Sequence, residues 1–337
     1  MKKISAAIVL TLVVVLTGCA GDDEPKVTTD ADVEDVTCVD EEIDDHGDTV
    51  PDLSTVVDCS KPHVYEVVGA FDLPKDALKG TSKKERIANR NDLAGVEGDE
   101  TPEYAAYIEF AQDKCETRAR EVLGFDDVTI QGVDAERARV LPSIDGIHAP
   151  WFSVTPEDRW LAGERQVICS ARLTGPGSEN SEEDPATKAV AAKDGKPLVS
   201  GVRSSSFPIG YRRCLTGGKN LELGPCDKPH YSELLFIFNA SNVFDDKMLK
   251  KVDPKKVTDA QYKIFDKACT GALPQFLGDG YDRKKLKGNS EVGGLAEDDT
   301  LILECHVKAV DPFAFDLPAG SLMGTDAKDV KLVDVKR

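Results

Sequence analysis

Cys59, His63 and Glu66 lie in the run Cys-Ser-Lys-Pro-His-Val-Tyr-Glu. Cys226, His230 and Glu233 repeat it as Cys-Asp-Lys-Pro-His-Tyr-Ser-Glu. A thiol four residues before an imidazole, with a carboxylate three further on, offers ligands for zinc or a thiolate–imidazole pair for nucleophilic attack. Three features turn the reading toward structure instead. Eight of the nine cysteines form two sets of four, so giving Cys59 a chemical role leaves an odd thiol. Neither set has the Cys-x-x-Cys spacing of a redox or zinc-knuckle site. On a continuous strand, His63 and Glu66 would point to opposite faces, because side chains alternate with period two. The expectation is that Pro62 and Pro229 set a turn and that each histidine bonds nearby backbone, fixing where a strand begins. No catalytic residue, metal or cofactor is assigned.

The elements that must position these residues follow from the cysteines. The first set is Cys38, Cys59, Cys115 and Cys169; the second is Cys214, Cys226, Cys269 and Cys305. Cys115 and Cys269 are followed at equal distance by Leu123-Gly124 and Leu277-Gly278, and each has a phenylalanine just upstream, Phe110 and Phe265. Such order, met twice, reads as a tandem duplication of one module. Four cysteines allow three pairings, and both modules should use the same one. The favoured solution is Cys38–Cys59 with Cys115–Cys169, and Cys214–Cys226 with Cys269–Cys305. The first bridge of each pair closes the opening loop onto the first strand; the second ties the helix to the last strand. Each bridge should stabilise by ~2–4 kcal/mol.

Within each module the coarse pattern is strand, helix, strand. His63 to Phe71 and His230 to Phe238 are rich in β-branched and aromatic residues. Tyr104 to Leu123 has helical spacing and stops at Gly124; its partner starts at Asp259, a candidate N-cap, and runs to Ala272 before Pro274. Arg165 to Leu173 and Thr300 to Val310 are strands bearing the fourth cysteine. The fold class is α+β: two tandem disulfide-bridged modules, each a small antiparallel sheet packed with one main helix. Leu198 to Val202 reads as a last short strand, with a counterpart in Leu317 to Met323. The longer helix-to-strand stretch of the first module should appear as a surface excursion. Trp151 and Trp160 sit in that stretch, with core packing as the default. Acidic runs at Asp40 to Asp48 and Glu179 to Asp184 read as solvated surface.

The ninth cysteine addresses localisation. Lys2 and Lys3 precede an apolar run from Ile4 to Leu16, which is too short for a membrane span of ~20 residues. It ends in Leu16-Thr17-Gly18-Cys19, the pattern of a bacterial lipoprotein signal, so cleavage before Cys19 would leave an acylated, exported chain. Oxidised cysteines suit that compartment. The formal charge of -19 becomes -21 once Lys2 and Lys3 are lost, which disfavours nucleic acid. The expected division is a signal peptide over 1–18 and a disordered tether over 19–37. A first module over 38–205 follows, with an acidic low-complexity insertion over 174–194. A second module covers 206–323, and 324–337 form a tail that is either an edge strand or frayed.

The Cys-x-Lys-Pro-His-x-x-Glu motif, Cys115, and Trp160-Leu161-Ala162-Gly163 ahead of Cys169, with Trp151-Phe152 upstream, resemble the septum formation domain family. The second module keeps Cys226, Pro229, His230, Glu233, Cys269 and Cys305 but has no tryptophan. The resemblance implies an exported envelope protein of Gram-positive bacteria associated with division or envelope biogenesis, and no particular activity. The leading expectation is a non-enzymatic cell-membrane lipoprotein that binds an envelope or division protein at the groove between its modules. The alternatives are a metal- or thiol-dependent extracytoplasmic enzyme using the motif, and a lipoprotein that captures a peptide or wall fragment.

Overall fold

The computed structural model describes residues 36–43, 49–73, 102–145, 147–155, 157–163, 165–174, 196–205, 207–216, 222–224, 226–250, 252–295 and 300–335. The signal segment, Cys19, the tether up to residue 35 and residues 175–194 of the acidic insertion lie outside them, as does the side chain of Trp151.

In chain order the first elements are β1 (Thr37–Ile43), β2 (Thr49–Val57), β3 (Tyr65–Asp72), α1 (Pro102–Leu123), β4 (Thr129–Ile130), β5 (Val133–Asp134), α2 (Ala135–Ala138), β6 (Leu141–Pro142), β7 (Ile147–Val154), α3 (Glu157–Ala162) and β8 (Gln166–Leu173). There follow β9 (Cys214–Thr216), β10 (Glu222–Gly224), β11 (Ser232–Asn239), α4 (Asp246–Leu249), α5 (Asp259–Ala272), α6 (Pro274–Leu277), β12 (Leu286–Leu295), β13 (Leu301–Ala309), β14 (Phe315–Asp316) and β15 (Val333–Asp334). The chain is thus mixed helix and antiparallel sheet.

The two main sheets have the same plan. The first runs β2-β1-β3-β8-β7 and the second β10-β9-β11-β13-β12. Their registers also coincide: Cys38 pairs with Glu66 as Cys214 pairs with Glu233, and Gly69 pairs with Cys169 as Phe236 pairs with Cys305. Even the irregularity is shared, falling between Val67 and Gly69 in β3 and between Leu234 and Phe236 in β11. At that point Val68 turns its carbonyl toward Arg118 of α1, 2.8 Å from Nε.

Each sheet carries one helix on one face. On α1, Tyr107, Ala111, Cys115, Ala119 and Val122 recur every three or four residues and are all buried, the stripe that a helix must bury. The bridge Cys115–Cys169 fixes that stripe to β8, and Cys269–Cys305 fixes α5 to β13. The other two bridges are Cys38–Cys59 and Cys214–Cys226. Gly288 of β12 lies under α5, where a Cβ would come within 2.3 Å of the Thr270 nitrogen; only glycine lets helix and strand approach so closely. The first sheet also buries side chains on its second face, where Val39, Leu53, Val64, Tyr65, Val67 and Ile168 form a smaller cluster of their own. That is why β3 reads as an unbroken apolar run around Glu66.

Several sequence expectations need correction. The sheets have more strands than a strand–helix–strand module. Among the missed ones, β1 carries acids, β2 and β7 contain Pro51 and Pro150, and β12 is glycine-rich; the two prolines lie on the edge strands β2 and β7, where a missing N–H is tolerated. Part of the acidic run, Asp40 to Ile43, belongs to β1, although Asp40 and Glu41 remain exposed. The N-cap of α5 is Thr258, not Asp259, and forms a reciprocal capping box with Gln261. Val199–Gly201 is a 3-10 turn rather than a strand. Of the final residues, β15 pairs with β14 in a two-stranded sheet of its own, and Ala327 and Val330 are buried.

The largest correction concerns the stretch between α1 and β7. It is no surface excursion. Phe125, Val128, Ile130, Ala135, Ala138 and Val140 are fully buried, and β6 adds itself to β11 of the second sheet. Phe276 meets Phe125 at 5.6 Å and stacks on Phe236 at 4.8 Å. The Gln275 amide accepts from Thr129 N–H and donates to Thr129 O, both at 2.8 Å. Arg203 donates to the Gly124 and Gln275 carbonyls, one from each half. One continuous apolar cluster therefore includes residues of both halves, from Trp160 to Phe265.

Candidate functional site

The two Lys-Pro-His turns create two buried nooks. In the first, the chain tightens at Lys61, whose N–H donates to Asp58 O at 2.7 Å, and β3 begins only at Tyr65. His63 therefore sits in the turn, not on the strand, and the alternation argument fails. His63 and Glu66 do not face apart; they touch, with Nε2 3.1 Å from Oε1, and both are fully buried.

Hydrogen-bond roles favour the charged imidazole here. His63 Nδ1 lies 2.8 Å from the Lys61 carbonyl, which can only accept, so Nδ1 carries a proton. Glu66 accepts from Leu198 N–H at 2.6 Å through Oε1 and from Val199 N–H at 2.8 Å through Oε2. Nε2 faces the same carboxylate at 3.1 Å, and in the imidazolium form both ring nitrogens donate to the acceptors they meet. Burial works to lower the His63 pKa. The hydrogen bond to Glu66, the Lys61 carbonyl and the negative charges of Glu66 and Asp40 outweigh it, and the value is raised above the ordinary one. Tyr211 is pushed up to about 12, by burial first and then by the Glu66 and Asp145 charges.

The second nook has the same backbone and different partners. His230 Nδ1 faces the Lys228 carbonyl at 2.9 Å, while Nε2 finds no hydrogen-bond partner among the described residues. Glu233 takes the Ser321 hydroxyl and the Leu322 N–H, the latter at 2.7 Å. Arg212 lies nearby, its guanidinium pulled down to about 10 by burial while the Glu233 charge opposes the shift. It reaches the Ser204 carbonyl at 3.0 Å and packs over Phe207.

Some ligand-type atoms do cluster: Cys38 with His63 and Glu66, and Cys214 and Cys226 with His230, in each group within 4.8 Å of one another. The sulfurs are spent in bridges, so no thiolate is on offer, and both oxygens of Glu66 are occupied. The motif places Pro62 and Pro229 in the turns, the histidines against their own backbone, and the glutamates against distant N–H groups. Sequence reasoning missed those distant partners, Leu198, Val199, Ser321 and Leu322. It had paired the two segments as strands; they correspond instead as donors to the two glutamates. Trp160 is buried, with Arg165 over its ring at 5.1 Å.

A groove of about 660 Å³ opens where α1 and α2 meet Asn242 of the second half. Its walls are charged, with Glu109, Glu116, Arg120, Arg137 and Arg139 prominent. Arg139 and Arg120 both reach Glu116, the latter at 3.6 Å.

No family model, no characterised protein and no solved structure matches this chain.

Proposed function

We propose that this chain is a non-enzymatic, lipid-anchored envelope protein built from two tandem copies of a septum-formation-like module, and that it binds an envelope or division protein. The observation that carries the reading is the use of the repeated motif. Among the described residues every cysteine is bridged, and both glutamates of the motif are bonded to backbone or hydroxyl donors from a distant segment. A group held in this way serves shape. Four bridges suit an exported chain, and Leu16-Thr17-Gly18-Cys19 supplies the anchor. The matching strand order and register support descent from one duplicated module.

The binding surface we assign is the charged groove beside Asn242, where material from both halves meets. Its volume lies within the ~300–1,000 Å³ range of small-ligand pockets, but such pockets are mostly apolar and this one is not. A charged wall suits a polar protein segment, and the groove also keeps the peptide-capture reading in view. The test is capture of partners from native membranes by the full chain, with Arg137→Glu, an exposed groove residue, as the variant. Loss of capture with unchanged unfolding supports the reading. Identical capture by the variant removes the groove, and absence of any specific partner removes protein binding. Mass spectrometry of membrane-extracted protein should show the chain beginning at Cys19 with an acyl adduct; an unmodified soluble product from the native host defeats the anchor.

A further inference from the structure

Glu291 on β12 stands directly opposite Glu304 on β13, and His306 lies two residues beyond Glu304 on the same face. This is the face turned away from α5, since Cys305 between them is bridged to that helix and Ser290 bonds its Asp266. Carboxylate oxygens of the two glutamates and a ring nitrogen of His306 all lie within 4.8 Å of one another. Like charges directly opposed across a ladder are destabilising. The histidine adds a second, independent anomaly. It is 1% exposed, and its Nε2 makes no hydrogen bond. Glu304 Oε2 is 3.5 Å from Nε2, a charge contact without hydrogen-bond alignment, and Nδ1 is 3.5 Å from Ser232 Oγ. A buried ring nitrogen left in that state costs free energy. Two cations stand by, Lys308 within charge range of Glu291 and Arg213 within range of Glu304, but each makes its hydrogen bond elsewhere. Lys308 bonds Asn289 and lies over the Tyr231 ring, and Arg213 donates to Ser143 Oγ at 3.0 Å while its charge reaches Glu304.

We propose that Glu291, Glu304 and His306 bind one divalent transition-metal ion, with zinc the best fit. The three ligand atoms already lie within 4.8 Å of one another, and zinc takes imidazole nitrogen and carboxylate oxygen at ~2.0–2.2 Å. Calcium would want six to eight oxygens and no imidazole. Among metals that accept a mixed nitrogen and oxygen set, zinc outranks manganese and iron in affinity. Three protein ligands leave a fourth position for water on the side where Glu304 keeps 27% exposure. The ion would resolve both anomalies at once and clamp β12 to β13. The proposal is independent of the envelope reading.

The test is zinc titration into the chelator-treated, disulfide-intact full chain, followed by calorimetry and thermal unfolding. One ion per chain and a rise in melting temperature are expected. Glu291→Gln and His306→Gln should each weaken binding at least about tenfold, since even outer partners of metal ligands are worth that much. Glu291 is half-exposed, so its variant tests the site even if the buried His306 variant fails to fold. His148→Gln should bind as the parent does. No saturable uptake overturns the proposal, as does uptake that both site variants leave unchanged, or calcium binding as tight as zinc.

Discussion

The His63–Glu66 nook and the His230–Glu233 nook share a turn, a register and a bridge, yet only the first closes into an ion pair. In the first, the imidazole reaches its own glutamate, and that glutamate caps two backbone N–H groups. In the second, the glutamate turns to Ser321 and Leu322, Arg212 stands near it, and the imidazole Nε2 is left over. The difference separates what the motif fixes locally from what its surroundings supply. The Lys-Pro-His turn and the anchoring glutamate are common to both nooks, while the polar partners differ and each carboxylate is still satisfied.

The largest way to break that comparison is to remove the carboxylates. Glu66→Ala strands a buried imidazolium and two N–H groups, and breaking a buried pair from one side costs about 3–5 kcal/mol. Glu233→Ala loses one hydroxyl and one N–H donor, for about 2–3 kcal/mol. Urea midpoints with unchanged slopes would measure both. An equal or larger loss for Glu233→Ala would show that the ion pair adds nothing.

The bridges give the next effect. Chain entropy predicts about 4 kcal/mol for removing Cys115–Cys169, with 54 residues of separation, and about 3 kcal/mol for Cys214–Cys226, with 12. Paired alanine variants measured by the same denaturation would test the ranking. Reversal would mean that local packing, not loop closure, sets what each bridge contributes.

Arg203 tests whether the nooks belong to one folding unit. It ties the Gly124 and Gln275 carbonyls together and lies 5.4 Å from the Phe276 ring. Arg203→Ala should cost about 2 kcal/mol, because hydrogen bonds from charged donors are worth about 1.5–3 kcal/mol. Unfolding of the parent, followed by far-ultraviolet and tryptophan signals, should be a single transition. The core is continuous, and Trp160 reports from one half alone. Two separated transitions would return the molecule to independent modules.

These comparisons also mark what could be read in the sequence. The cysteine order and the Pro-His turns carried the bridging pattern, because covalent and turn chemistry are local and type-specific. The helices were legible from buried stripes such as Tyr107 to Val122. The strands outside the central pairs β3–β8 and β11–β13 were not. β1 carries acids, β2 and β7 contain proline, and β12 is glycine-rich, so local propensity opposed what tertiary pairing imposed. The pairing of Glu66 with Leu198 and Val199 spans more than 130 residues with no local signal. The alternation argument separated His63 from Glu66 only because it started the strand two residues early.

The smallest effect is a pH dependence carried by His63. Its folded pKa is raised: burial pulls it down, but Glu66 and the Lys61 carbonyl more than compensate. A group whose folded value lies above its unfolded value, ~6.5 for histidine, stabilises fully below the unfolded value. That contribution fades as pH climbs through the folded value. The stability difference between the parent and His63→Gln should therefore be greatest below about pH 6 and should shrink as pH rises through and above neutrality. The amide can still donate to one neighbour but brings no charge to Glu66. Denaturation midpoints of both proteins across that range supply the measurement. A difference that grows with pH would mean that the folded site holds a neutral imidazole, and the contrast between the nooks would then lie in packing instead of charge.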